Sequence, residues 1–211
     1  MLISFSSLCE KYKFVPNGIL HIGAHEMEEA LDYAKYHIEN IIWVEGNPDL
    51  VKSGLSKISN TKGQTLLHGL VYSEDDIDIQ FKITNNSQSS SILDFGKHKE
   101  YHPQVSFVKS IQLKTTRIDS LLKKNNFNPG QFDFVNLDIQ GVELQALKGF
   151  GEYLGPVKYI YTEVNTGEVY INNDSMDQMD KFLENLGFSR VETRITEFEW
   201  GDVFYIKQNK W

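Results

Sequence analysis

The sequence holds a single cysteine, Cys9, in 211 residues. One thiol excludes an internal disulfide framework and any cysteine-rich zinc site, and it fits a reducing compartment. Positive charge is also scarce. Lys and Arg number 21 against 29 Asp and Glu, a net charge of -8, which argues against a nucleic-acid or anionic-membrane binder. No apolar run approaches the roughly 18 residues that a membrane span needs. The start, MLISFSSLCEKYKF, lacks a basic stretch followed by a long apolar core, so no signal peptide is expected and a cytoplasmic protein is the default. His37, His68, His98 and His102 show no spacing that suggests a metal cluster. What is present is a 40% hydrophobic, 12% aromatic chain, enough to fold as one α/β domain over residues 1–211 with a sizeable core.

The most informative stretch runs from Phe132 to Phe150, FDFVNLDIQGVELQALKGF. Phe132, Phe134, Val135 and Leu137 form an apolar run of buried-strand length. Asp138 stands where that strand emerges, Gly141 permits a tight turn, and Val142, Ala146, Leu147 and Phe150 recur at helical spacing. An acid at the carboxyl end of a parallel strand lies where open α/β sheets bind ligands. The alternative reading of Asp138 is a helix cap or turn residue.

The chain in order repeats this grammar. A short helix within residues 2–14 precedes a strand at 18–22, which runs into Gly23-Ala24; a helix is expected from Met27, with Met27, Ala30, Leu31, Ala34 and Ile38 on one face. Glu28 and Glu29 read as acids supporting its first turn. A second strand, 41–44, ends in Glu45. Asn47-Pro48 caps and opens a helix carrying Leu50, Val51, Leu55 and Ile58. Gln64 to Val71 reads as a third strand, completing a β-α-β-α-β run and hence a parallel sheet with right-handed crossovers. The alternation of Ile77, Ile79, Phe81 and Ile83 predicts a half-exposed strand. The polar loop Asn85–Ser91 and an irregular insertion at 92–107 follow, with a further strand at 108–113. Thr116 and Asp119 look like a helix cap. A fifth core strand spans 157–164. Ser175 and Gln178 form a capping-box signature, and Gly187 ends the helix they begin. Residues 189–193 and 203–207 suggest an antiparallel pair.

Strand ends therefore collect Gly23, Glu45, Asp138 and Glu163. Glu45 lies 22 residues after Gly23, close to the roughly 20 expected for an acid that accepts hydrogen bonds from a ribose diol. The turn Gly23-Ala24-His25-Glu26-Met27-Glu28-Glu29 has one glycine, where a dinucleotide pyrophosphate normally needs three. Its acids disfavour a pyrophosphate and tolerate the sulfonium of S-adenosylmethionine.

With these pieces in place the chain resembles the FkbM-type methyltransferases, a branch of the S-adenosylmethionine-dependent class. The matching segments are HIGAHEMEEALDY, WVEGNP, NNSQSSSIL, TTRIDSLL, DFVNLDIQGVELQALKG and YIYTEVN. The family's usual D-x-E-G-x-E is here Asp138-Ile139-Gln140-Gly141-Val142-Glu143, and Met27 occupies a common second-glycine position. The resemblance implies a Rossmann-like methyltransferase sandwich, a seven-stranded mostly parallel sheet with the last strand antiparallel. It also implies O-methylation of a hydroxyl, most often on a sugar, glycan or polyketide.

The cofactor is then expected against Gly23, Ala24, His25, Glu45, Gly46, Asn47, Leu70, Val71 and Asp138. Asp138 and Glu163, on neighbouring strands about 5 Å apart, are the candidate catalytic pair, with His25 a third candidate base. Two mechanisms remain open: the carboxylates share a proton, or they hold Mg²⁺ or Mn²⁺ together with Asn165. The acceptor site is expected from the 85–91 loop with Ser90, the 92–107 insertion, Gln140, Glu163 and a turn at Trp200-Gly201-Asp202, with Trp200 either stacking on a sugar ring or serving as an ordinary edge aromatic. The partners expected are a small-molecule or glycan acceptor, with no nucleic acid and no membrane. A non-catalytic module that binds S-adenosylmethionine or a glycan is the rival reading, and a nucleotide-dependent oxidoreductase a third.

Overall fold

The computed structural model describes residues 1–208. Its strands, in chain order, are β1 (Ile19–Ile22), β2 (Ile41–Glu45), β3 (Gln64–His68), β4 (Leu70–Val71), β5 (Asp78–Thr84), β6 (Phe107–Thr116), β7 (Phe134–Leu137), β8 (Tyr159–Asn165), β9 (Phe188–Ile195) and β10 (Trp200–Lys207). The helices are α1 (Phe5–Tyr12), α2 (Ala30–Lys35), α3 (Pro48–Ile58), α4 (His98–Tyr101), α5 (Ile118–Lys124), α6 (Glu143–Lys148) and α7 (Met176–Asn185). Seven strands form the main sheet in the order β3-β2-β1-β7-β8-β10-β9. β10 alone runs antiparallel to its neighbours, β8 and β9. The expected seven-stranded, mostly parallel sheet is present, and the final strand is the reversed one.

Both faces of the sheet are covered, which explains why its central strands read as unbroken apolar runs. Leu20, Ile22, Val44, Val135 and Leu137 pack with residues of α5, α6 and α7 on one face. Ile19, Ile41, Trp43 and Phe134 pack with α1 and the residues around α2 on the other. Between β4 and α5 the chain builds a second, three-stranded sheet, β4-β6-β5, which stands over the carboxyl ends of the main strands. Among the described residues no helix is long and apolar enough to cross a membrane.

Five expectations are corrected. The segment 64–71 is two strands, not one: β3 pairs with β2 and β4 with β6. Gly69 divides them, its N–H turned to the Glu45 carbonyl at 3.0 Å and its Cα packed against the Leu121 and Thr116 side chains. The helix expected from Met27 is cut to α2: Met27 and His37 both have positive φ, Leu31 is 78% exposed, and Met27 and Ile38 enter the core from outside the helix. Glu28 and Glu29 consequently precede the helix. On α3, Leu55 faces solvent and Gly54 lies against Leu66 instead. Thr116 ends β6, and α5 starts after Arg117 without a side-chain cap, Asp119 being bound to the Arg117 guanidinium. Trp200, Gly201 and Asp202 are the first residues of β10, not a turn. The capping box of Ser175 and Gln178 and the Asn47 cap, which accepts from the Asp49 N–H, stand as expected.

Candidate active site

Two cavities open above the carboxyl edge of the sheet. The first, about 690 Å³, is framed by Gly23, Glu45, Gly46, Asn47, Leu70 and Val71 and reaches Asp138. The turn after β1 comes close to the end of β7. Gly23 has φ +86°, and a Cβ at that position would run into the Asp138 carbonyl, so only glycine fits. Gly23 and Ala24 both donate to the Val44 carbonyl, at 2.9 and 3.0 Å. Ala24, expected at the cofactor, faces the core instead, with its side chain buried away from the cleft.

Glu45 is buried. One carboxylate oxygen accepts from the His25 N–H at 2.8 Å and the other from the Asn47 N–H at 2.7 Å. It thus ties the β1 and β2 turns together, with lone pairs left for the cleft. Burial raises its pKa, against the opposing pull of those N–H groups.

His25 sits at φ 45°, and both ring nitrogens are engaged, Nδ1 with Glu28 and Nε2 with Ser87, each at 2.7 Å. That leaves its ring a positioning group between turn and loop rather than a free base. Ser90, expected at the acceptor, lines this first cleft and not the second.

The second cavity, about 1360 Å³ of open space, shares Gly23, His25, Gln88, Asp138 and Gln140 with the first. Its further walls include Glu163, Asp202, Tyr170, Trp200, His98 and His102. Register explains the acids. Leu137 pairs with Thr162 and Asp202 with Glu163, so Asp138, Glu163 and Asp202 form a row across three adjacent strands.

Gln140, at φ 59°, links the first two. Its Nε2 donates to Asp138 Oδ1 at 2.7 Å and to Glu163 Oε2 at 3.1 Å, while the Tyr170 hydroxyl donates to its Oε1 at 2.6 Å. Asp138 caps no helix, since Val142 occupies that position for α6. Its side chain is exposed to the cavity. Desolvation by the surrounding walls, opposed by the Gln140 hydrogen bond and reinforced by the Asp202 charge, pushes its pKa up to about 6. Burial, then the charges of Asp138 and Glu143, hold Glu163 well above the usual carboxylate range.

Glu143, to which the sequence reading gave no role, completes the cluster from below. It accepts from the N–H groups of Ile139 at 2.9 Å and Gly141 at 3.1 Å, and burial pushes it up to about 8. Its place in the D-x-Q-G-x-E run was the available signal. Asp138, Glu143 and Glu163 each offer an oxygen within 4.8 Å of the others. Asn165, expected to join a metal with the first two, lines neither cavity, and its Oδ1 and Nδ2 are buried without partners. The histidines hold a second omission: His98 and His102, four apart in sequence, meet at α4 with ring centroids 5.1 Å apart.

Comparison with known proteins bears on the family and the fold. The family model of the methyltransferase FkbM domain matches residues 21–190. No protein of the curated set matches the sequence. Among solved structures the chain is similar to the magnesium protoporphyrin IX methyltransferase of Synechocystis PCC 6803 with bound S-adenosylmethionine, at 10% identity and TM-score 0.52, over 96% of this chain and 76% of that one. It is similar to a ribosomal protein L11 methylase of Lactobacillus delbrueckii subsp. bulgaricus, at 8% identity and TM-score 0.50, over 90% and 70%. A third is the methyltransferase domain of a bacterial Hen1, at 10% identity and TM-score 0.50, over 96% and 95%. At such identities these likenesses speak for the fold of S-adenosylmethionine-dependent methyltransferases, and the family match goes further: this chain belongs to the FkbM methyltransferase domain family.

Proposed function

We propose that the protein is an S-adenosylmethionine-dependent O-methyltransferase whose acceptor is a hydroxyl on a sugar or glycan, acting in the cytoplasm. The observation that carries this reading is the junction of the two cavities at Gly23, His25, Asp138 and Gln140. A narrow donor cleft and a wide polar acceptor cavity meet at a carboxylate, as a two-substrate transfer requires.

The residues of the first cleft fit the donor. Glu45 is a buried carboxylate suited to a ribose diol, Leu70 and Val71 give apolar walls, and among the described residues no lysine or arginine lines the cleft to receive a pyrophosphate. Bound there, S-adenosylmethionine supplies a methyl group carried on a sulfonium. Asp138, ionised at neutral pH with a pKa of about 6, receives the proton of the acceptor hydroxyl while the new oxygen–carbon bond forms and the carbon–sulfur bond breaks. Burial and the neighbouring charges of Asp138 and Glu143 raise the Glu163 pKa, because a second charge beside Asp138 is unfavourable. Gln140 bridges the two, donating to both carboxyls.

Direct proton acceptance is favoured over Mg²⁺ or Mn²⁺ assistance. Asn165 does not reach the cavity, and Glu143 is already occupied by two backbone N–H groups. Titration with S-adenosylmethionine and with a nicotinamide dinucleotide, followed by methyl-labelled donor with a panel of sugars in the presence and absence of chelator, tests the reading. The first ligand binds, the second does not, and label appears in a chelator-insensitive ether. Donor binding with no transfer to any hydroxyl would instead support a non-catalytic module.

A further inference from the structure

The acceptor cavity has an unusual charge content. Asp138, Glu163 and Asp202 stand in a row on its floor, and Glu28 and Glu29 are on its rim. Among the described residues no lysine or arginine side chain lines it, and the Met1 amino group on its wall stands 3.8 Å from Glu29. Glu163 and Asp202 are directly opposed on antiparallel strands, both buried, at 7% and 5% exposure. Like charges so placed weaken a sheet, and burying them adds a desolvation cost. Asp202 is partly met by the Leu2 N–H and the Tyr161 hydroxyl; Arg194, its partner on β9, turns its guanidinium to the Leu2 carbonyl at 2.7 Å and is not ion-paired with it.

A second, independent feature lies in the same wall. His98 is 5% exposed, and its Nδ1 has no partner. Its ring stacks on Phe95 at 4.3 Å and lies 5.3 Å from the Tyr170 ring. Burial and the neighbouring His102 lower it to about 4, so it adds no positive charge. The wall thus offers a neutral imidazole, Tyr170 and the Trp200 ring beside a line of carboxylates.

We propose that the acceptor carries a protonated amine beside the hydroxyl that is methylated, as in an amino sugar, and that Asp202 and Glu163 receive this ammonium while the ring rests against Trp200 and His98. The reading rests on the O-methyltransferase assignment above and names its substrate class. The ammonium is a recognition handle. Being protonated, it has no lone pair with which to compete for the methyl group.

The test uses the whole chain saturated with S-adenosylhomocysteine and three probes of similar ring size: glucosamine, N-acetylglucosamine and glucuronate, near neutral pH with EDTA throughout. Glucosamine should bind at least tenfold more tightly than either other probe, and Asp202→Asn should reduce that advantage about tenfold while S-adenosylmethionine affinity, measured alongside, stays within twofold. Equal affinities, a preference for the neutral or acidic probe, or no binding of any of the three overturns the proposal. So does a preference that appears only without EDTA, since a bridging divalent cation would then account for it. If the Asn variant fails to fold, the wild-type ranking of the probes still decides the matter. Loss of S-adenosylmethionine binding by the wild type would mark failure of the underlying methyltransferase reading, which is separable from failure of the ammonium site.

Discussion

The two cavities are built from opposite kinds of structure. The proposed donor cleft is framed by strand-end turns whose polar groups are mutually satisfied: Glu45 holds the N–H groups of His25 and Asn47, and Gly23 and Ala24 bond to Val44. The proposed acceptor cavity gathers carboxyls that repel one another and a histidine nitrogen without a partner. A satisfied frame can be rigid before a ligand arrives, which lowers the cost of binding. An unsatisfied one stores cost that a substrate relieves, and it shifts pKa values toward those a proton acceptor needs.

The largest expected break in this comparison is Asp138→Asn. Removing the proton acceptor should lower turnover by ~10²–10⁴-fold, with a far smaller change in S-adenosylmethionine affinity, as steady-state kinetics and calorimetry together would reveal. In the wild type, turnover should climb with pH through about 6 as Asp138 ionises. A flat profile across that range would move the acceptor role elsewhere.

Glu45→Ala should act on the other cavity. Loss of a charged hydrogen-bonding partner costs about 2 kcal/mol, roughly thirtyfold in donor affinity, and acceptor affinity should be nearly untouched. An unchanged donor dissociation constant would remove Glu45 from the ribose site and leave it only the bracing of two turns.

The smallest effect concerns stability. Glu143 and Glu163 bind protons more tightly in the folded chain than in the unfolded one. Between the unfolded carboxyl value near ~4.3 and the folded value of about 8 for Glu143, the native state holds more protons, so stability falls as pH rises. Glu143→Gln should flatten that decline by at least ~1 kcal/mol, each unit of pKa shift being worth ~1.4 kcal/mol, when melting temperatures are followed across this range. An unaltered slope would mean that the cluster is not the source of the strain.

Much of the donor frame was legible in advance because its determinants are local. Glycine after a strand, an acid ending the next strand, and Asn-Pro opening a helix are rules about neighbouring residues, and Gly23, Glu45 and Asn47 all stand where those rules place them. Period-two and period-3.6 patterns likewise located the strands and α7. They misjudged 27–38, where residues from outside the helix were buried by the tertiary fold, and 64–71, where Gly69 passes the chain from one sheet to another. Sequence also supplied Asp138 and Glu163 as acids at strand ends, but not what surrounds them. Asp202 faces Glu163 only because β10 is inserted between β8 and β9, Glu143 joins from the start of a helix, and His98 arrives from an insertion more than thirty residues before β7. Adjacent residues fix backbone turns through sterics and local hydrogen bonds; a buried carboxyl's charge state depends on desolvation and on groups distant in the chain, which only the assembled sheet brings within reach.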